Sequence, residues 1–125
     1  MDYPTWFKIY QKLDKKVDKT PFFTVEQRLT SLKDQIAIKK GTRIAITVGS
    51  RYIANLPMIT KAVVDFVRGE GAVPFLVPAM GSHGGATKEG QIKVLEELGL
   101  TEETIGAPIH SSMDVVILGK VEGIP

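Results

Sequence analysis

Residues 43 to 77 read RIAITVGSRYIANLPMITKAVVDFVRGEGAVPFLV, and this stretch decides the predicted fold. Two short apolar runs, 43–48 and 73–77, stand on either side of a helical pattern over 57–69. Neither run alternates with polar residues, which is typical of strands in a parallel sheet covered by helices. Pro57 stands in the first helical turn, where its missing N–H is not needed. The stretch therefore predicts two parallel strands joined by a crossover helix.

The same alternation of elements extends in both directions from this unit. A helix is predicted over 25–36, because apolar residues recur at helical intervals and Thr24 and Gln27 stand in capping-box spacing. A third helix is predicted from Thr87, as its N-cap, to about residue 99. With a last strand near the C-terminus, the order predicts an α/β fold. We expect a three-layer α/β/α arrangement with a mainly parallel, Rossmann-like sheet.

The C-terminal end of the sequence suggests a part of a larger protein. The last predicted strand, 115–118, lies close to the final residue, whereas a parallel strand usually continues into a helix. We therefore expect residues 1–125 to be the N-terminal α/β domain of a longer two-domain protein, with its sheet incomplete. Residues 1–23 are expected to be an extended N-terminal segment. WFKIYQKL at 6–13 fits a short strand or a poor helix, and KTPFF at 19–23 interrupts either.

The composition argues against several classes of function. The 16 basic and 14 acidic residues leave a net charge of only +2, so we expect no nucleic-acid partner and no membrane partner. No apolar run approaches the ~20 residues of a membrane span, and the N-terminus lacks a signal-peptide pattern, which together predict a cytoplasmic protein. With no cysteine and two histidines, no metal site made wholly within the chain is expected.

Two unusual loops follow the two central strands. The first is GSRYIAN at 49–55, which carries Arg51, and the second is PAMGSHGGAT at 78–87, which carries His83. Ligands of open parallel sheets bind beyond the carboxyl ends of the strands, so we expect both side chains to reach one small molecule. Arginine presents a charged fork that fits a carboxylate or phosphate, and histidine is a base near neutral pH.

The second loop also predicts a close backbone approach to a ligand or cofactor. The assigned residues are Gly81, Ser82, Gly84, Gly85 and Thr87. Glycine permits positive φ, and the helix that begins after Thr87 offers free N–H groups to an anion. Each feature alone also has a structural explanation, as a tight turn or as a surface side chain. The loop is neither a dinucleotide fingerprint nor a P-loop, and the first loop is not a nucleophile elbow.

The second histidine, His110, receives a weaker interpretation. It precedes the predicted strand 115–118, which would place it at the opposite edge of the sheet from the two loops. The acidic residues Glu89, Glu96 and Glu97 are expected on a solvated helix face.

ITVGSRYIANLPMITKAV at 46–63 and FLVPAMGSHGGATKEGQ at 75–91 together resemble the N-terminal domain of the nickel-dependent lactate racemases and their uncharacterised relatives. In that family one strand leads into Asp-x-Thr-Arg-Pro and a second leads into Gly-x-His. The resemblance implies that Arg51 holds the substrate, with Ser50 at the threonine position. It also implies that His83 is the catalytic acid/base.

This sequence departs from the family pattern at several positions. Val48 stands where the family has aspartate, Tyr52 where it has proline, and Gly84 and Gly85 replace an Arg-Pro pair. These differences change the substrate pocket. They leave lactate, another 2-hydroxy acid and a longer sugar acid open as substrates.

The resemblance implies a nickel-pincer nucleotide cofactor. A base removes the hydroxyl proton while hydride passes to the cofactor, and hydride returns to either face. The second catalytic histidine, the tethering lysine and the nickel-binding histidine would lie beyond residue 125, so the chain alone should be inactive and would need its C-terminal domain. Two other interpretations remain, a nickel-independent hydroxyacid dehydratase or isomerase and a non-enzymatic carboxylate- or phosphate-binding domain. The sequence leaves a homo-oligomer open.

Overall fold

The structure is a computed structural model, and it describes residues 7–12, 19–51 and 53–119. It is a mixed α/β fold with four helices and two strands in these ranges. In chain order the elements are α1 (Pro21–Ser31), a 3₁₀ turn (Lys33–Gln35), β1 (Arg43–Val48), α2 (Leu56–Gly69), β2 (Val73–Pro78), a second 3₁₀ turn (His83–Ala86), α3 (Lys88–Glu97) and α4 (Glu102–Ile105). No helix within the described ranges is long and apolar enough to cross a membrane.

The two central strands pair in parallel, as the sequence predicts. The register runs from Arg43 opposite Val73 to Val48 opposite Pro78, so both strands end at the same level. One further backbone bond, from Ala79 N to Val48 O at 2.8 Å, extends the pairing past the end of β2. The loops that follow β1 and β2 therefore leave the sheet side by side.

The predicted third strand at 115–118 is wrong. Residues 115–118 form no strand, and their side chains are at least 83% exposed. The side of β2 that does not face β1 pairs instead with Ile109, six residues before the predicted strand begins. Leu76 N donates to Pro108 O and His110 N donates to Leu76 O, both at 2.8 Å. This parallel bridge at Ile109 uses the backbone groups of Leu76 that a later strand would need.

Helices cover one face of the sheet in the described part of the chain. Ile46, Val48 and Leu76 point into a core formed with side chains of α2, α3 and α4. Residues on the other face of the strands, such as Ala45, Thr47 and Val73, are exposed. β2 is apolar on both faces, whereas the open face of β1 carries Arg43 and Thr47 beside Ala45. Burial alternates along both strands because only one face is packed in the described structure.

The first helix begins earlier than the sequence pattern suggests. α1 starts at Pro21 rather than at residue 25, and Thr24 lies inside it, its N–H donating to Thr20 O at 3.0 Å. Pro21 begins the helix instead of breaking it, because the fixed φ of proline suits the first turn. The extended segment predicted over 1–23 therefore ends before Pro21. Residues 7–12 have no regular structure, and 1–6 and 13–18 lie outside the described residues.

α1 packs against α2, and an ion pair reinforces this contact. Lys33 Nζ lies 2.8 Å from Glu70 Oε1, joining the 3₁₀ turn after α1 to the end of α2. The hydrogen bond to Glu70 raises the pKa of Lys33 above its ordinary value. Because the Lys33 side chain is 55% exposed, the pair adds little to stability.

The remaining helices agree with the sequence except for one addition. α2 and α3 lie where they are predicted, with Pro57 in the first turn of α2 and Thr87 as the N-cap of α3. The short helix α4 has no counterpart among the helices expected from the sequence. Thr101 caps it by accepting from Thr104 N, while Thr101 N donates to Thr104 Oγ1. This reciprocal capping by two threonines satisfies backbone donors that a four-residue helix would otherwise leave open.

Candidate functional site

The predicted meeting of the two loops is confirmed in geometry. Val48 and Pro78 are opposite each other at the carboxyl ends of β1 and β2, and each is followed directly by its loop. Arg51 comes three residues after the end of β1, and His83 comes five after the end of β2. Their side chains are in contact although 32 positions separate them in the sequence.

The imidazole of His83 lies between two side chains of the first loop. Arg51 Nε–H donates to His83 Nε2 at 2.7 Å, and the Nη2 group of the same guanidinium contacts the same nitrogen. On the other side of the ring, Ser50 Oγ lies 2.6 Å from His83 Nδ1. Both ring nitrogens thus have a partner, and the two partners are consecutive residues. The predicted trio of Ser50, Arg51 and His83 comes together, whereas its chemical roles stay predictions.

A shallow cleft of about 440 Å³ opens beside this trio. Its lining comes from both loops: Gly49, Ser50, Arg51, Ile53, Ala79, Met80, Gly81 and Ser82. Met80 is buried beneath it, while Ile53 is 48% exposed at its rim. A small organic anion would meet backbone, one guanidinium and a few apolar atoms there. This volume lies in the ordinary range of small-molecule pockets, about 300–1,000 Å³, so a small organic acid fits within the cleft.

Only two of the five loop residues assigned to ligand or cofactor binding line the cleft. Gly81 and Ser82 line the cleft, but Gly84, Gly85 and Thr87 do not. Gly84 has φ of 67° and packs against the first turn of α3, where an added Cβ would lie 2.3 Å from the carbonyl carbon of Gly90. Gly84 is therefore required for a close backbone contact inside the protein, and its assignment to ligand or cofactor binding stays a prediction.

Thr87 is engaged as the N-cap of α3. Its Oγ1 accepts from Gly90 N at 3.1 Å and donates to Gly84 O at 3.0 Å. One of the helix N–H groups that the sequence predicts for an anion is thus capped by the protein itself. The hydroxyl fixes the turn behind His83 onto the helix, which is a structural task.

One supporting residue was not predicted from the sequence. Gln91 is buried in α3, and its Nε2 donates to Gly81 O at 3.0 Å, which ties the cleft lining to the helix. Ser111 Oγ makes a longer contact of 3.4 Å with Gln91 Oε1. Gln91 therefore connects the second loop to the chain segment after the Ile109 bridge. The sequence does show an amide side chain, Gln91, one helical turn after the N-cap Thr87. Such residues are also common on solvated helix faces, so its position alone does not predict this role.

The sequence-based position of His110 is wrong. The pairing of Ile109 with Leu76 aligns His110 with the carboxyl half of β2, because the third segment of the sheet begins earlier than predicted. The His110 ring stacks at a tilt on Phe75, with ring centroids 5.0 Å apart, and Arg43 lies over the Phe75 ring at 4.8 Å. The imidazole therefore packs on the open face of the sheet. Its contacts are those of a structural residue.

The described residues form no metal centre. No group of three or more histidine, cysteine, aspartate and glutamate side chains in these ranges could hold a metal ion. His83 directs its two nitrogens at Ser50 and Arg51. The described donor set therefore does not fit a nickel ion.

Compared with known proteins, the chain matches no protein-family model, no curated protein and no solved structure. The resemblance to the lactate racemases stays a prediction that rests on the two loops alone.

Proposed function

We propose that this chain supplies the substrate grip and one base of a racemase or epimerase that acts on 2-hydroxy acids. The single observation that carries the proposal is the direct contact of Arg51 with His83 Nε2 beside a small cleft. A permanently charged fork and a neutral base at one position match the two polar groups of a 2-hydroxy acid, its carboxylate and the hydroxyl on the adjacent carbon.

In this mechanism the carboxylate replaces His83 as the partner of Arg51. The guanidinium offers two parallel N–H groups, which fit both carboxylate oxygens, so the acid is held in one orientation. The hydroxyl on the next carbon then lies beside Nε2, which has lost its donor and is free to accept a proton. Nε2 takes the hydroxyl proton and later returns it. Inversion also requires the hydrogen on that carbon to leave as hydride and to return to either face, and the group that accepts it would come from the C-terminal domain. Holding the acid in this geometry is the main contribution of Arg51.

The nickel-pincer cofactor implied by the resemblance finds no ligands among the described residues. We therefore derive no step through it. In the proposed longer protein, the remaining catalytic groups and the cofactor would come from a C-terminal domain. We propose further that the described elements belong to a three-layer α/β/α domain of that protein. The exposed apolar residues on the second face of the sheet, such as Val73, support this arrangement.

A carboxylate-binding domain without catalysis is the second candidate. The open shape of the cleft and the position of Arg51 at its rim would serve simple binding equally well. The two candidates differ in their use of His83. Binding alone needs Arg51, whereas racemisation also needs a basic Nε2. A dehydratase or isomerase without nickel would share both residues and would be recognised by its product.

The test on this chain is a titration followed by amide NMR. Lactate should shift the signals of Gly49 to Arg51 and of Gly81 to His83, while lactamide, which has the same shape without the charge, should shift them little. Arg51→Ala should abolish the difference between the two ligands. Equal shifts with lactate and lactamide, or shifts confined to residues far from the cleft, would reject the proposed carboxylate site.

A further inference from the structure

The hydrogen bonds around His83 determine which ring nitrogen carries its proton. A guanidinium has only donors, so Nε2, which receives the Arg51 N–H at 2.7 Å, must present its lone pair. A neutral imidazole with a free lone pair on Nε2 carries its proton on Nδ1. Nδ1 faces Ser50 Oγ at 2.6 Å, and the hydroxyl oxygen is therefore the acceptor in that bond.

We propose that Ser50 is a positioning residue that holds His83 as the Nδ1–H tautomer, rather than a residue that binds substrate. The interpretation of Nε2 as the reacting atom rests on the proposed function, whereas the tautomer follows from the hydrogen bonds alone. With its proton fixed on the Ser50 side, the ring directs its one lone pair toward Arg51, which lines the cleft. The orientation of a catalytic imidazole is commonly set by the partner of its second nitrogen.

The same geometry excludes Ser50 as a nucleophile activated by His83. Activation would require a lone pair on Nδ1 to take the hydroxyl proton, and that position is occupied by hydrogen in this tautomer. Ser50 also lies in a favourable place for positioning. It is the second residue after β1, so the paired strand holds its backbone, whereas His83 lies in a turn next to two glycines at positive φ. The rigid loop thus orients the ring that the glycine turn carries.

The test is ¹⁵N NMR of the histidine rings in the 125-residue chain, at a pH about two units above the ordinary histidine pKa. The chain has two histidines, and His110→Asn assigns their signals. We expect His83 to give the Nδ1–H pattern in the wild type, although Nε2–H is the commoner form of free histidine in water. Because the Arg51 donor selects the same tautomer, the role of Ser50 is tested without that donor. Arg51→Ala should keep the Nδ1–H pattern, and adding Ser50→Ala to Arg51→Ala should move His83 toward the Nε2–H pattern. Adding Ser50→Thr, which keeps the hydroxyl, should preserve Nδ1–H. Ser31→Ala, an exposed serine on α1, is the matched control.

An Nε2–H pattern or an even mixture in the wild type overturns the inference, and so does an unchanged Nδ1–H pattern when Ser50→Ala is added to folded Arg51→Ala. If that double variant does not fold, Arg51→Ala decides it: Nδ1–H supports the inference, and any other result overturns it. The measurement needs no turnover. Absence of racemase activity would reject the proposed function without changing the tautomer, and an Nε2–H ring would reject the role of Ser50 without excluding racemisation.

Discussion

Arg51 Nε–H donates to His83 Nε2 at 2.7 Å, which joins the loop after β1 to the loop after β2. This bond gives the guanidinium of Arg51 an acceptor and the lone pair of His83 a donor. A carboxylate is a better partner for a guanidinium than a neutral nitrogen is, since its bond to the guanidinium is charge-assisted on both sides. Anion binding and exposure of the His83 lone pair are therefore coupled in this geometry.

Replacing Arg51 should chiefly weaken substrate binding. A hydrogen bond to a charged group contributes about 1.5–3 kcal/mol, so Arg51→Ala should raise KM or Kd for a 2-hydroxy acid by about 10- to 150-fold. Arg51→Lys should recover only part of this, because an ammonium lacks the planar fork. Arg43→Ala is the control, since Arg43 stands at the other end of β1, over Phe75. Equal losses for the two alanine variants would contradict the assigned role of Arg51.

The close contact between the second loop and α3 predicts a strong effect at Gly90. An added Cβ there would lie 1.8 Å from Gly84 O, so Gly90→Ala should lower the free energy of unfolding by about 1–3 kcal/mol or more. Gly69, also helical, has nothing within 4 Å of an added Cβ, and Gly69→Ala should be neutral or stabilising by up to about 1 kcal/mol. Denaturant unfolding of the two variants measures the difference. Similar stabilities would show that the loop does not pack on α3 in this way.

The hydrogen bond from Gln91 to Gly81 O should contribute both to stability and to the position of the cleft lining. Gln91→Met keeps the length of the side chain but leaves the carbonyl of Gly81 without its partner, which should cost about 1–3 kcal/mol. Gln27→Met, on the exposed surface of α1, should change stability by less than about 0.5 kcal/mol. The amide signals of Gly81 and Ser82 should shift in the first variant alone. Their staying in place would mean that Gln91 does not hold the loop.

The chain alone is expected to bind no nickel at stoichiometric level and to catalyse no racemisation. The described residues lack a group of metal-binding side chains, and His83 is already paired on both nitrogens. Elemental analysis of the purified 125-residue chain, after incubation with Ni²⁺ and gel filtration, checks this. One nickel ion per chain would show that a metal site exists that the two loops do not explain.

The central unit of the fold could be predicted because its signals are local. The strands at 43–48 and 73–77 are apolar runs bounded by turn residues, and α2 has a strong helical period with proline in its first turn. The meeting of Arg51 and His83 followed from topology, since parallel neighbours end at one edge. No knowledge of side-chain packing was needed for either prediction.

The errors came from features that depend on partners elsewhere in the structure. The segment 115–118 has strand composition, but composition cannot show that Leu76 is already paired at Ile109. Pro21 can interrupt a helix or begin one, and only the chain around it decides. The packing role of Gly84 could not be predicted for the same reason: the contact that requires this glycine, to Gly90, lies six residues away and becomes visible only once α3 is packed.

The most direct measurement is the rate of racemisation of a 2-hydroxy acid by His83→Ala in the longer, cofactor-loaded protein that the resemblance implies. General acid–base groups contribute typically 10²–10⁴-fold, so kcat should fall by about 10²-fold or more in at least one direction while KM changes little. A variant that racemises its substrate within about twofold of the wild-type rate, far outside that range, would contradict the assignment of His83 as the base.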